Sequence, residues 1–298
     1  MKGRGVLPPY VEALSDARTP LEGFYNILSL SIPAMTLDRQ SQSPASPEPK
    51  SIDSGILGGM RNQMSRSAFA AWAIIWGVAA GTGDGAAQVI RAGPPTCKAI
   101  ALTFDMCPVR KGTGYDAELV NMLMTKRIPA TFFLSGRWMA THEQEVRALR
   151  EVPFFELGTH GQVHAHLPRL DADRQRSEIA SAVTLLETKY GHRAPLFRPP
   201  YGEYNDATVG IVRALGLRFI LWDVVSGDPD PRLSRSRMVE QLTATVRNGS
   251  VIVFHANGKG LHTREVVEDL YQDLVLKRGL QPVTVTDLLD HCEQRTNH

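Results

Sequence analysis

Cysteine is scarce in this chain: three among 298 residues. Three are too few for a disulfide framework, and no CxxC pair marks a structural zinc site. An excess of either charge is also missing. Lys+Arg number 33 and Asp+Glu 31, a formal charge of +2, which gives no electrostatic case for nucleic-acid binding. The apolar run over 68–80 (AFAAWAIIWGVAA) falls short of the ~18 residues a transmembrane span needs. No glycine-rich phosphate loop follows the first apolar strand, so a nucleotide-binding open sheet loses support. Overall the chain is 43% hydrophobic and 21% charged, an ordinary globular balance that excludes wholesale disorder.

The first ninety residues read unlike the rest. Residues 1–59 hold no sustained period of either kind. The stretch 39–50 (RQSQSPASPEPK) is rich in Ser, Pro and Gln, a composition that cannot bury a core. Met60 and Met64 follow, then Arg61 and Arg66, then the apolar run and small residues. A basic segment, a short apolar segment and small residues describe a secretory signal. Three regions are therefore expected. Residues 1–59 are a disordered extension upstream of a start at Met60 or Met64. Residues 60–87 are a signal peptide, cleaved after Ala80 or Ala87, and residues 88–298 are one folded domain. Such a chain is secreted or periplasmic and meets the membrane only through its signal segment.

From Cys97 onward strand and helix patterns alternate. Strands are expected over 98–105 (KAIALTFD), 130–134 (ATFFL), 154–159, 196–198, 219–223 (FILWD), 251–255 (VIVFH) and 282–285. Helices are expected over 115–126, 142–150, 171–190, from Asn205 to Gly216, and over 234–248, 263–277 and 285–294. Asp171 and Asn205 serve as N-caps and Gly191 as a stop. About seven strand–helix units with near-continuous apolar strands imply a parallel sheet covered on both faces. The fold class is α/β, a distorted parallel (β/α) barrel of about seven strands.

The polar residues collect at strand ends, where a parallel barrel gathers its chemistry. Asp105 ends the first strand, His160 follows the third and Arg198 ends the fourth. Asp223, Ser226 and Asp228 follow the fifth, and His255 ends the sixth. His160 and His164 stand four apart, a spacing that suits a divalent metal and that surface histidine pairs share. His166 reads as a surface residue or as support for that pair. Arg198-Pro199-Pro200-Tyr201-Gly202 is a rigid turn whose prolines hold Phe197 and Arg198 extended. Its Tyr201 N–H is a candidate oxyanion donor.

Residues 98–289 resemble the NodB-type polysaccharide deacetylases. Five stretches carry the likeness in order: Thr103-Phe104-Asp105-Met106, the pair His160 and His164, Arg198 to Gly202, Trp222 with Asp228, and Val253-Phe254-His255. The resemblance implies an exported metal-dependent hydrolase acting on carbon–nitrogen (non-peptide) bonds. It would remove acetyl groups from an N- or O-acetylated polysaccharide or oligosaccharide. It implies Asp105 as general base, His160 and His164 as ligands of a divalent metal such as zinc, and Arg198 as the residue that orients Asp105. Tyr201 would supply the oxyanion amide. His255 would be the general acid, with Asp228 raising its pKa. Trp222 and Val253 would shape the acetyl pocket, and Trp138, Tyr201 and Trp222 suit stacking on sugar rings.

The likeness breaks at one position. Met106 stands where the family has a second acid, normally the third metal ligand, and a thioether is a poor ligand for such a cation. The metal is then held by two histidines and water, or Asp116 or Cys107 substitutes. The alternative is a carbohydrate-binding pseudoenzyme that has lost the metal. Cys97 and Cys292 fall on the same barrel face, either paired in an oxidising compartment or buried as free thiols.

Overall fold

The computed structural model describes residues 88–292. Both expectations for residues 1–59 and 60–87 lie outside those residues apart from their boundary at 88. Among the described residues, no helix is long and apolar enough to cross a membrane.

The frame is built on β2 (Ala99–Met106), all eight residues of which are buried. It pairs in parallel with β3 (Ala130–Leu134), β8 (Val251–His255) and, at its start, β9 (Gln281–Val283). The sheet continues from β3 to β4 (Phe155–Thr159), β5 (Leu196–Phe197), β6 (Arg218–Ile220) and β1 (Val89–Ile90), every pair parallel. On the far side β8 pairs with β7 (Val224–Val225). The result is the curled, parallel, helix-covered barrel that the alternation of patterns predicts.

Side chains along β2 alternate between two environments, as a strand's period of two requires. Ile100, Leu102, Phe104 and Met106 join the large core beneath the outer helices. There Phe104 stacks between Phe132 and Phe254, with ring centroids 5.3 and 5.6 Å away. Ala99 and Ala101 join the inner core with Phe133, Leu196, Ile220 and Val251. Thr103 and Asp105 continue that inner row toward the top of the barrel.

The outer helices are α1 (Ala117–Thr125), α2 (Gly136–Thr141), α3 (Glu143–Arg150), α4 (Ala172–Tyr190), α5 (Asp206–Ala214), α6 (Arg235–Thr245), α7 (Thr263–Leu270) and α8 (Val285–Asp290). Asp171 accepts from Arg174 N at the start of α4, and Gly191 ends it at φ 63°. Asn205 and Thr208 form a reciprocal capping box at α5.

Several boundaries differ from expectation. The expected strand 219–223 is two short strands. Leu221 N donates to the Ile90 carbonyl, whereas Asp223 N donates to Val251 O. The chain thus leaves one sheet edge and joins the other within three residues, which curls the sheet toward closure. The expected helix 263–277 is α over its first half and a π-helix over Tyr271–Lys277. The α6 helix stops at Thr245, and α2 and β1 carry no pattern long enough to read. At the base of the barrel Cys97 and Cys292 form a disulfide with Cα atoms 5.6 Å apart.

Candidate active site

The strand ends deliver their polar side chains to one cleft. Asp105, His160, His164, Tyr201, Trp222, Val225, Ser226, Asp228, Pro229, Val253 and His255 line it. Asp105 and His255 are direct partners across the β2–β8 ladder, so a carboxylate and an imidazole stand side by side at one level.

Arg198 holds Asp105. Its Nη1 donates to Asp105 Oδ1 at 2.8 Å and to Thr103 Oγ1 at 2.9 Å, and its Nη2 donates to Leu221 O at 3.1 Å. The guanidinium is fully buried and lies 4.0 Å from the Phe133 ring centroid, a cation–π contact in a desolvated setting. Burial pushes the Asp105 carboxyl up, but Arg198, His160 and His255 outweigh it and hold the group below the usual carboxylate range. Burial draws Arg198 below its ordinary value, and the Asp105 charge opposes that.

His160 Nδ1 lies 2.8 Å from the Arg198 carbonyl. A carbonyl only accepts, so Nδ1 carries the proton and Nε2 turns toward Asp105 Oδ2, 3.7 Å away. Burial pulls His160 down, while Asp105 and Cys107 hold it above the ordinary imidazole range. Its neighbour His164 is buried too, and the two ring centroids are 4.9 Å apart. His164 Nε2 is buried with no hydrogen-bond partner.

No helix runs between the two histidines. His164 instead takes φ 64°, a strained conformation for a non-glycine residue that costs about 1–3 kcal/mol. Glu178 of α4 compensates. Its Oε1 accepts from Val163 N at 2.7 Å and from Ala165 N at 3.2 Å, on either side of His164. Burial raises the Glu178 carboxyl, and those backbone N–H groups oppose the rise. Tyr201 takes φ 60° in the Pro-Pro turn, and His166 stacks on its ring at 4.1 Å. A Cβ on Gly202 would meet Trp222 at 2.8 Å, so this turn needs glycine on both conformational and steric grounds.

His255 Nδ1 donates to Asp228 Oδ1 at 2.9 Å. Asp228 also accepts from Ser226 Oγ, His255 N and Thr263 Oγ1, at 2.9, 2.7 and 2.9 Å. This buried carboxylate fixes the imidazole's tautomer and its ring plane.

Three expected placements differ. Trp138 is buried on α2, donates Nε1 to Gly114 O at 2.6 Å and packs in the outer core. Its aromatic surface is consumed by packing, so it is not a groove residue. Asp116 is the N-cap of α1, accepting from Leu119 N at 3.0 Å; it stands outside the metal-capable cluster, whose members are Cys107, His160 and His164. Asp223 is spent at the sheet crossover, accepting from Val251 N. Met106 is in the outer core, with no exposed surface. Sequence reasoning missed Glu178. It shares a helix stripe with Ala182 and Leu186, both buried, and an acid on an apolar stripe was the available signal.

Comparison with known proteins finds similar chains. Residues 92–220 match the polysaccharide deacetylase family model. A peptidoglycan N-acetylglucosamine deacetylase of Bacillus cereus is 27% identical over 201 residues, covering 66% of this chain and 90% of that protein. The family 4 carbohydrate esterase of Streptomyces lividans, solved with acetate, has a TM-score of 0.55 at 28% identity and covers 62% of this chain and 92% of that one. A family 4 pseudoenzyme from Bacillus anthracis shares the fold with a TM-score of 0.62 at 24% identity, covering 68% of this chain and 69% of its own. Other curated relatives are longer: the chain spans 54%, 26% and 41% of three of them. Residues 92–220 are thus similar to the polysaccharide deacetylase (NodB, carbohydrate esterase 4) family.

Proposed function

We propose that the barrel is an exported, metal-dependent deacetylase of an N- or O-acetylated carbohydrate. The observation that carries this reading is the ladder pairing of Asp105 with His255. Each is held by its own buried partner, Arg198 or Asp228. Amide or ester hydrolysis needs a base for the attacking water, a site for the oxyanion and a proton for the leaving group.

Asp105 takes the proton of the attacking water. Arg198 keeps one carboxylate oxygen fixed, leaving the other toward the cleft. The Tyr201 backbone N–H serves the developing oxyanion. His255 gives its proton to the leaving nitrogen or oxygen, and Asp228 stabilises the imidazolium. Trp222 and Val253 wall the space for the acetyl methyl. His160 and His164 are suited to a divalent cation, since both are buried and His164 Nε2 has no other partner. Such a cation supplies an acidified water and a Lewis acid.

By their names, two relatives are peptidoglycan deacetylases, and others are a chitin deacetylase of Saccharomyces cerevisiae and a bifunctional xylanase/xylan deacetylase of Cellvibrio japonicus. Acetylated polysaccharide of those classes is the substrate we assign. The Cys97–Cys292 disulfide supports export, because disulfides persist in oxidising compartments.

The test is acetate release from acetylated chitooligosaccharide, peptidoglycan and xylan, with metal content measured alongside. Asp105→Asn is expected to lower turnover by about 10²–10⁴-fold with the metal retained, and His164→Ala to lose metal and activity together. Saccharide binding without acetate release by the metal-loaded chain would instead establish the binding-protein reading that Met106 raises.

A further inference from the structure

The family's second acid is absent at Met106, yet the structure brings a different third donor to the two histidines. Cys107 Sγ and one ring nitrogen each of His160 and His164 lie within 4.8 Å of one another, all on buried residues. A zinc ion with bonds of about 2.3 Å to sulfur and about 2.0 Å to nitrogen draws three such atoms together. The unpartnered His164 Nε2 is an independent sign that a ligand belongs there, because buried polar atoms are otherwise satisfied.

The backbone holds this thiol in place. Met106 keeps to the helix-facing side of β2, and its carbonyl accepts from Ser135 N at 3.3 Å and Ser135 Oγ at 3.0 Å. The Cys107 carbonyl accepts from Asn257 Nδ2 at 2.8 Å. The peptides on both sides of the Cys107 Cα are therefore pinned, and its side chain is fixed on the cleft side. The nearby acids are already engaged: Asp105 is held by Arg198, and Asp116 caps α1. Among the described residues this is the one group of three such donors close enough to share an ion.

We propose that Cys107 is the third protein ligand of the metal centre, giving a thiolate and two imidazoles in place of the family's carboxylate and two imidazoles. This rests on the reading of His160 and His164 as a metal pair. A thiolate carries the same single negative charge as the carboxylate it replaces, so the net charge of a loaded centre is unchanged. It is a softer donor, which moves preference toward zinc and away from manganese and magnesium. Three protein ligands leave a fourth position for water or substrate, the arrangement of catalytic rather than structural zinc. Asn257 acts through Cys107 as a positioning residue.

Cobalt(II) substitution of the purified full chain tests the assignment without using activity. One cobalt per chain is expected, with a thiolate-to-cobalt charge-transfer band in the near ultraviolet. Cys107→Asp is expected to keep the metal, lose the band and narrow the preference for zinc over manganese. Asn257→Ala is expected to weaken zinc binding by roughly 10–100-fold with the circular dichroism unchanged. Stoichiometric cobalt without the band overturns the proposal. The band together with no acetate release from any substrate upholds the ligand set and sinks the deacetylase reading. Acetate release without the band does the reverse.

Discussion

Asp105 and Met106 are adjacent and have opposite fates. One belongs to the inward row of β2 and meets Arg198; the other belongs to the outward row and meets the core under the helices. Placing an acid at this position by Met106→Asp is therefore expected to add nothing to the site. It would place a carboxylate in an apolar core and destabilise the fold by several kcal/mol. Thermal unfolding should show a lower Tm, and acetate assays no gain. Glu178 gives a second prediction at this scale. Glu178→Ala leaves the Val163 and Ala165 N–H groups without their acceptor, a cost of about 1–3 kcal/mol, and frees the His164 loop. Zinc affinity should fall with the Tm. Glu178→Gln keeps an acceptor oxygen and should keep both near the wild-type values. If the alanine variant bound zinc as tightly as wild type, Glu178 would not be holding the ligand loop.

At the scale of elements, the crossover between β6 and β7 decides the shape of the barrel. Asp223 secures it, accepting from Val251 N at 2.8 Å and Ser250 Oγ at 3.1 Å. Burial raises the Asp223 carboxyl above its ordinary value, with the Val251 N–H and Ser250 hydroxyl opposing. A carboxyl whose pKa is higher folded than unfolded favours the fold most when protonated. Its contribution is full below the ordinary carboxylate value and is lost as pH rises through the folded one. Measured against Asp223→Asn, wild type should lose relative stability as pH climbs through the carboxylate range and then level off. Paired Tm measurements from mildly acidic to neutral pH check the sign; a gap that moved the opposite way would contradict it. The elements were legible where their patterns were long. β2, β3, β8 and α4 needed only apolar runs and a capping Asp–Gly frame. The split strand, the two-residue β1 and the π turn after α7 were not legible, because each is decided by a partner distant in sequence.

For the whole molecule, the disulfide closes a separation of 195 residues. Chain-entropy reasoning puts its contribution at about 5 kcal/mol. Cys97→Ser should lower the Tm, and reductant should do the same to wild type and nothing to the variant. Intact mass without reduction should be two hydrogens below the fully reduced value if the two cysteines pair. A mass with all three thiols free would refute the pairing. The bond joins the segment before β2 to the end of α8, so it ties the first and last parts of the described barrel together.

The sequence by itself determined the parallel α/β frame, because buried strands and amphipathic helices write their periods locally. It also determined which residues stand at the strand ends, and so named Asp105, His160, His164, Arg198, Asp228 and His255 as one rim. Tertiary structure alone decided which of them touch. It paired Asp105 with His255 across a ladder, sent Met106 outward by the parity of a strand, spent Asp116 and Trp138 on a cap and on the core, and brought Cys107 beside the histidines. Those outcomes depend on distances between residues far apart in the chain, which no local pattern encodes.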